Sequence, residues 1–418
     1  MTSAERILAA HCGKKIVYPG DNIFVYHDLV VTDELSIKGM IKALNGTNET
    51  VDLPDNHIAL INGHITTPRD AATGSKVEIL DQFASEYGIT NYLQVGKSGE
   101  CGCLLAENGL IAPDNVVIGT DQRITSYGAI GALSTNVSSK ELTDAWVNGS
   151  VRLTVPLTAK INLVGSFQPM VTPKDLVLHI LSKFGSSGAR GLALEIRGDA
   201  LNNLDIRARF TLANILIETG AKYVHLPCDQ MVMQYLNIVE SDRTKLESTS
   251  DSDTEYKWIS EFDLNDVVPM VATPGSPVNG VPARDVSNVK VNQVIVGSCT
   301  NGSIEDFRSV GKLLDNRKVS RDVRLHLYPA SHKAIREMLS DELGLLLTAR
   351  GSKMSPLSCQ ACIGKGPNQL GPGEVGLYTT NRNAKGQQGS PSSQVYLAGP
   401  LVAAATAVTG YITDPRDL

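Results

Sequence analysis

Three cysteines are placed so that their thiolates could share one centre. Cys359 and Cys362 form a C-x-x-C in "SPLSCQACIGKGPNQLG", followed by glycines, and Cys299 precedes them in "VGSCTNGS". A C-x-x-C by itself suits a redox dithiol, half of a zinc site or part of an iron–sulfur cradle. Cys299 comes directly after a run of strand residues and before a capped helix, and in open parallel α/β sheets ligand chemistry gathers at the carboxyl ends of strands. Structural zinc takes four ligands, and iron–sulfur clusters normally take four cysteines; a fourth Cys or His is not in register here. Three thiolates on a cluster would leave one iron without a protein ligand, able to bind a hydroxyl or carboxylate as a Lewis acid. Spacing therefore points to a metal centre, incomplete or catalytic, and leaves zinc and iron–sulfur both open. Cys12 and Cys228 read as small buried side chains.

The elements that must position these residues alternate short β-branched runs with amphipathic helical ones, the pattern of α/β layers. "DNVVIGTD" reads as a buried strand opening into a turn, and "TPKDLVLHILSKFG" as a capped helix ended by Gly185. "GLALEIRG" is the next strand, and "DIRARFTLANILIETGAKYVHL" a helix stopped by Gly220 and followed by a strand. In the last third, "VNQVIVGSCTNG" is a strand and turn, and Ser303 with Asp306 makes an acidic capping box on "SIEDFRSVGKLL". "VRLHLYPAS" is a strand, "HKAIREMLSDELG" one helix, and "VYLAGPLVAAATAVTG" a strand–helix pair. The polar run "RTKLESTSDSDTEYKW" is a loop. No fixed-period repeat is present. These runs predict three α/β/α domains with mostly parallel sheets, over 1–155, 156–285 and 286–418, the last carrying the cysteines.

Bulk composition bounds the function. At 418 residues the chain is too long for one core, and 42% hydrophobic with 20% charged residues is ordinary for a soluble protein. A net charge of −6 and a pI near 5.8 argue against nucleic-acid binding. The amino terminus has no basic-then-apolar signal pattern, and the longest uncharged run is broken by Gly399, Pro400 and Gly410, so no membrane span is expected. Seven cysteines, an odd number, do not form a disulfide scaffold, which predicts a cytoplasmic, reducing setting.

Across nearly its whole length the chain resembles the aconitase superfamily, on the branch of separate large subunits of isopropylmalate isomerase and homoaconitase. The resemblance rests on "AERILAAHCGKKIVYPGDNIFVYHDLV", "GLIAPDNVVIGTD", "YGAIGALST", "GSCTNGSIEDF", "CQACIG", "TTNRN" and "AGPLVAAATAVTGYITDP". It implies a 4Fe–4S cluster on Cys299, Cys359 and Cys362, whose open iron binds the hydroxyl of a hydroxy-carboxylate during dehydration and rehydration. It also implies a small partner subunit carrying the swivel domain, which this chain lacks, so that the chain alone is expected to be inactive.

Residue by residue, the resemblance places Glu218 on the family's active-site glutamate, with Asn214 one helical turn earlier, and Asn381 and Arg382 beside the cluster and the substrate carboxylate. A planar guanidinium binds carboxylate bidentately and keeps its charge. Three imidazole positions differ. His64 stands without its neighbouring aspartate, which is Gly63; a second histidine is Gly102; and the Asp-Ser-His turn reads "DQRI", keeping Asp121 but placing Gln122 and Arg123 where Ser and His are expected. The family's second arginine is Gln387. The charge exchange suggests Arg123 as a replacement substrate-binding arginine, with His64, Asp121 and Glu218 as the acid–base candidates. Losing a positioned acid–base group costs about 10²–10⁴-fold in rate. Two functions follow from this shell: a hydro-lyase or isomerase with a changed hydroxy-carboxylate substrate, or a cluster-bearing binding subunit whose catalysis has been lost.

Overall fold

The computed structural model describes residues 1–45, 57–62, 71–94, 101–238, 250–251, 254–359, 362, 364 and 367–418, with the backbone alone for 62, 71–75 and 101–102. Among them lie three mostly parallel sheets. One has five strands in the order Tyr92–Gln94, Ile58–Asn62, Leu29–Asp33, Val116–Gly119 and Leu133–Asn136. A second has four, Tyr223–His225, Ala193–Arg197, Thr158–Val164 and Ile259–Asp263. In the third, five parallel strands run Gln394–Ala398, Val375–Tyr378, Gln293–Gly297, Arg324–Tyr328 and Ser352–Met354, extended by antiparallel Met270–Ala272 and Gly280–Pro282. Residues 270–282 thus join the third sheet, ahead of the division read from sequence near residue 285.

Why these runs form central strands is visible in their burial. "QVIVG" at Gln293–Gly297, "LVVTD" at Leu29–Asp33 and "VVIG" at Val116–Gly119 are buried at every position, as strands covered on both faces must be. Helices cover them where the caps said they would start. Thr172 and Asp175 close a capping box on Pro173–Phe184, and Ser303 and Asp306 close one on Ile304–Leu314. Ser303→Ala is expected to cost about 1 kcal/mol, because it orphans a buried helix-end N–H; a urea midpoint unchanged from the parent would contradict this. The uncharged run near the C-terminus is a strand, Gln394–Ala398, and a helix, Pro400–Thr409. Among the described residues no helix is long and apolar enough to cross a membrane.

Two elements differ from the sequence reading, and a third carried none. The expected helix from His332 breaks at Ser340 and resumes as Leu343–Ala349, because Glu342 takes a left-handed φ of 54°. The helix Ile206–Ile215 tightens into a 3₁₀ turn, Leu216–Thr219, so Glu218 rides on that turn and not on the α-helix with Asn214. Residues Gln122–Ile130 form a nine-residue 3₁₀ segment, an uncommon length, ended by Gly131 at φ 86°. It fits only because Gly128 has no side chain: a Cβ there would lie 1.6 Å from the Val224 carbonyl oxygen. A further two-stranded antiparallel ribbon pairs Asn22–Tyr26 with Ser150–Thr154 and leaves Phe24 and Tyr26 exposed.

Candidate active site

Cys299 owes its position to a tight exit from the central strand Gln293–Gly297. Gly297 has φ 126°, and a Cβ on it would sit 1.9 Å from the Tyr328 oxygen on the neighbouring strand. Ser298 follows at φ 79°, and the four-residue helix Ser298–Asn301 then presents Cys299 at the sheet's carboxyl edge. Backbone strain of this kind, at a non-glycine residue, marks sites held in place by their surroundings.

Cys359 and Cys362 are 9% and 7% exposed, and the Cys362 N–H donates to the Cys359 carbonyl at 2.9 Å. Gly364, at φ 63°, lets this turn run against residue 387, whose carbonyl oxygen lies 2.0 Å from where a Cβ would be. The Gln387 amide donates to the Cys362 carbonyl at 2.9 Å. Gln387 therefore braces the cysteine turn, a role its exchange from arginine did not reveal.

Two side-chain amides converge on the Cys299 sulfur. Asn381 Nδ2 lies 3.4 Å and Asn214 Nδ2 3.7 Å from Sγ. Asn381 also donates to Asn214 Oδ1 at 3.1 Å, and Asn214 to the Ser126 hydroxyl at 2.9 Å. The Thr211 hydroxyl ties the same helix to the Thr300 carbonyl at 3.0 Å. Amide donors aimed at sulfur stabilise its thiolate form, since hydrogen bonds to the charged state favour it. Residues from all three parallel-sheet regions meet here: Ser126 follows a strand of the first, Asn214 lies on a helix of the second, and Asn381 follows a strand of the third.

Beside the thiolate lies a charged network. Arg123 Nη2 donates to Glu218 Oε1 at 2.6 Å and its Nη1 to the Asn214 carbonyl at 2.7 Å. Arg382 Nε reaches the same Glu218 oxygen at 3.1 Å, and its Nη2 donates to Gln122 Oε1. Burial alone would push the Glu218 carboxyl up; the two guanidiniums, Arg123 first, outweigh it and hold it below the usual glutamate range. Arg123 is only 6% exposed, and both its terminal nitrogens are committed inward instead of standing open as the charge exchange suggested. Arg382, 35% exposed, is the cation that opens outward.

Asp121 acts as the helix cap of its own segment, accepting the Arg123 N–H at 2.9 Å. His64 and Gly63 lie outside the described residues. Gly102 lies on the helix Cys101–Glu107, whose contacts include the Cys299 turn. The sequence reading did not pick out Ser126 or Lys174. Ser126 gives no local signal. Lys174 gives one: a lysine in the first turn sits at the unfavourable end of the helix dipole. Its ammonium is fully buried and donates to the Thr379 and Thr380 carbonyls at 3.2 and 2.7 Å. A separate cavity of about 680 Å³, bordered by Pro274, Asn383 and Tyr396, does not include these side chains among its lining.

Comparison with known proteins identifies the family. Residues 5–410 match the aconitase family (aconitate hydratase). The 3-isopropylmalate dehydratase large subunit of Moorella thermoacetica is 36% identical over 418 residues, spanning 100% of this chain and 99% of its own length. That of Acetivibrio thermocellus is 37% identical over 420 residues and spans 100% of both. The crystal structure of Thermococcus kodakaraensis aconitase X (holo-form) superimposes with a TM-score of 0.53, covering 92% of this chain and 94% of that one. At 8% identity it speaks to the fold alone, an aconitase-like one. With a family match across nearly the whole chain and relatives more than one-third identical from end to end, the chain belongs to the aconitase family.

Proposed function

We propose that the chain is the large subunit of an aconitase-type hydro-lyase, dehydrating and rehydrating a hydroxy-carboxylate with a small swivel-domain subunit as partner. The observation that carries this reading is the seating of Cys299, with two amides on its sulfur and the Glu218–Arg382 pair beside it. A 4Fe–4S cluster fits this donor set on Cys299, Cys359 and Cys362. Glycine-cradled turns leave room for a bulky inorganic centre, and the buried Lys174 ammonium and the Cys299 and Cys362 thiolates favour one another's charge. A cluster takes one thiolate per iron, so its ligands need not converge on a point; among the described residues no three His, Cys, Asp or Glu side chains do. Bound there, the cluster supplies a Lewis-acidic iron toward the substrate hydroxyl.

The protein's own groups then have distinct tasks. Arg382 offers its outward N–H groups to a substrate carboxylate. Glu218, kept ionised, accepts a hydrogen bond or proton at the reacting end. Arg123 is a positioning residue that fixes Glu218, and Gln122 fixes Arg382. Arg123 cannot replace a histidine as a proton shuttle, because a guanidinium does not give up its proton. That substitution favours the second reading, a cluster-bearing subunit that binds without turning over.

Anaerobic reconstitution with iron and sulfide, followed by electron paramagnetic resonance with a panel of 2-hydroxy-dicarboxylates that includes 3-isopropylmalate, separates the two. The hydro-lyase reading expects a spectrum that shifts with one of them, and product from that acid once the small subunit is added. An intact cluster that shifts with an acid but yields no product in the reconstituted pair would leave only the binding subunit.

A further inference from the structure

The buried ammonium of Lys174 has no carboxylate partner among the described residues. It extends from the first turn of the helix Pro173–Phe184. Its hydrogen bonds go to the Thr379 and Thr380 carbonyls, both neutral. The adjacent Asp175 cannot serve as its counter-ion. That carboxylate is occupied by the Thr172 N–H at 2.7 Å, the Thr172 hydroxyl at 2.6 Å and the Met270 N–H at 2.7 Å. A buried cation normally needs an opposite charge, because desolvation penalises the charged form heavily. The helix N-terminus, itself a partial positive charge, adds to that penalty.

The Thr379 carbonyl that Lys174 holds also accepts from the hydroxyl of Thr300, the neighbour of Cys299, at 3.3 Å, and the charges that favour the ammonium are the Cys299 and Cys362 thiolates and Asp306, with Arg123 opposing them. Asp306 is committed to the Ser303 cap, accepting from its N–H at 3.0 Å and its hydroxyl at 2.7 Å. The carbonyls that Lys174 holds belong to the two residues directly before Asn381 and Arg382. One side chain therefore touches the backbone that delivers the Cys299 amide donor and the outward arginine, while its charge acts on two of the three thiolates. Burial lowers the ammonium's affinity for its proton, to a pKa of about 7, and the thiolates act in the opposite direction.

We infer that Lys174 is the counter-charge of the three-cysteine centre: a positioning residue, reaching in from a helix that packs on the antiparallel end of the same seven-stranded sheet, that offsets the anionic thiolate set and pins the Thr379–Thr380 strand end. This rests on the cluster reading above. Charges and hydrogen bonds just outside the ligand shell tune both the reduction potential and the hold on the metal.

The test uses the full chain, reconstituted anaerobically, as parent, Lys174→Met, Lys174→Gln and Lys174→Arg. A redox titration followed by electron paramagnetic resonance reads the cluster's midpoint potential, and a chelator challenge reads the rate of iron loss. Lys174→Met is expected to move the midpoint to a lower value and to release iron about tenfold faster, the size typical of outer-shell losses at metal sites. Lys174→Arg is expected to restore most of both. Lys174→Gln keeps hydrogen-bonding capacity without charge, so it should show the potential shift even if Lys174→Met does not fold. A neutral variant that melts like the parent and keeps its midpoint and iron-loss rate would overturn the inference. A parent chain that takes up no cluster would overturn the cluster reading itself, which these variants alone could not do.

Discussion

Under the proposed function, Glu218→Gln is expected to lower turnover with the small subunit added by about 10²–10⁴-fold, the usual cost of removing a positioned acid–base group. The substitution keeps size and shape but removes the charge that two guanidiniums share. Arg123 is then buried beside a neutral amide, and breaking a buried pair in this way costs about 3 kcal/mol. Activity and stability should therefore fall together in Glu218→Gln. In Arg123→Gln, by contrast, Glu218 keeps Arg382 and activity should fall less. The double variant should recover part of the stability that Glu218→Gln loses, since no unpaired guanidinium remains. The pH dependence has a defined sign. The Glu218 carboxyl is held below its ordinary range, so the stability it contributes is present above the pKa of an unfolded glutamate and is lost as pH falls through the lower folded value. Initial rates with the best acid from the panel, and urea curves at pH 7 and pH 4, check both parts. Turnover within threefold of the parent would remove Glu218 from the chemistry.

Gly297→Ala is expected to prevent stable folding. Its Cβ would lie 1.9 Å from the Tyr328 oxygen and 2.6 Å from the Tyr328 carbonyl carbon, both backbone atoms of the adjacent strand. Neither can move without parting two paired inner strands of the seven-stranded sheet, in which Gly297 faces Tyr328. The φ of 126° adds strain that no alanine relieves. Together these exceed about 4 kcal/mol, a large fraction of a domain's total stability. Gly109→Ala is the control: it shares a positive φ, 70°, but has nothing within 4 Å of the added methyl. That variant should lose only about 1–2 kcal/mol, the cost of the left-handed conformation alone. Soluble yield and urea midpoints distinguish the two. Equal losses in both variants would show that the contact with Tyr328 is not what excludes a side chain.

What the sequence revealed follows the range of the interactions involved. Caps and strand runs are local, so the strand before Cys299, the Ser303 box and the Gly220 stop could be read from a few neighbouring residues. The break at Glu342 and the long 3₁₀ segment from Gln122 could not. One depends on a single left-handed residue of a type that rarely adopts that conformation, and the other on how Gly128 meets the Val224 carbonyl in another sheet. Within the site, the types of Asn214, Glu218, Asn381 and Arg382 were readable through the family pattern. Their pairing was not. Arg123 stood out as a departure, but the direction of its guanidinium depends on Glu218, 95 residues away. Lys174 shows locally only as a lysine in an unfavourable first turn; its partners are backbone carbonyls more than 200 residues downstream, and carbonyls carry no sequence signal.

The meeting of three sheets at Cys299 also sets a clock for biosynthesis. Glu218 and Arg382, joined by one ion pair, are separated by 164 positions. At a synthesis rate of about 5–20 residues per second, that interval alone takes about 8–33 s. During it the ribosome holds a chain whose first two sheets can already pack, while Asn214 and Glu218 still await Cys299, Asn381 and Arg382. The side chains around Cys299 can therefore come together only after Arg382 has been made, late in the synthesis of the 418 residues.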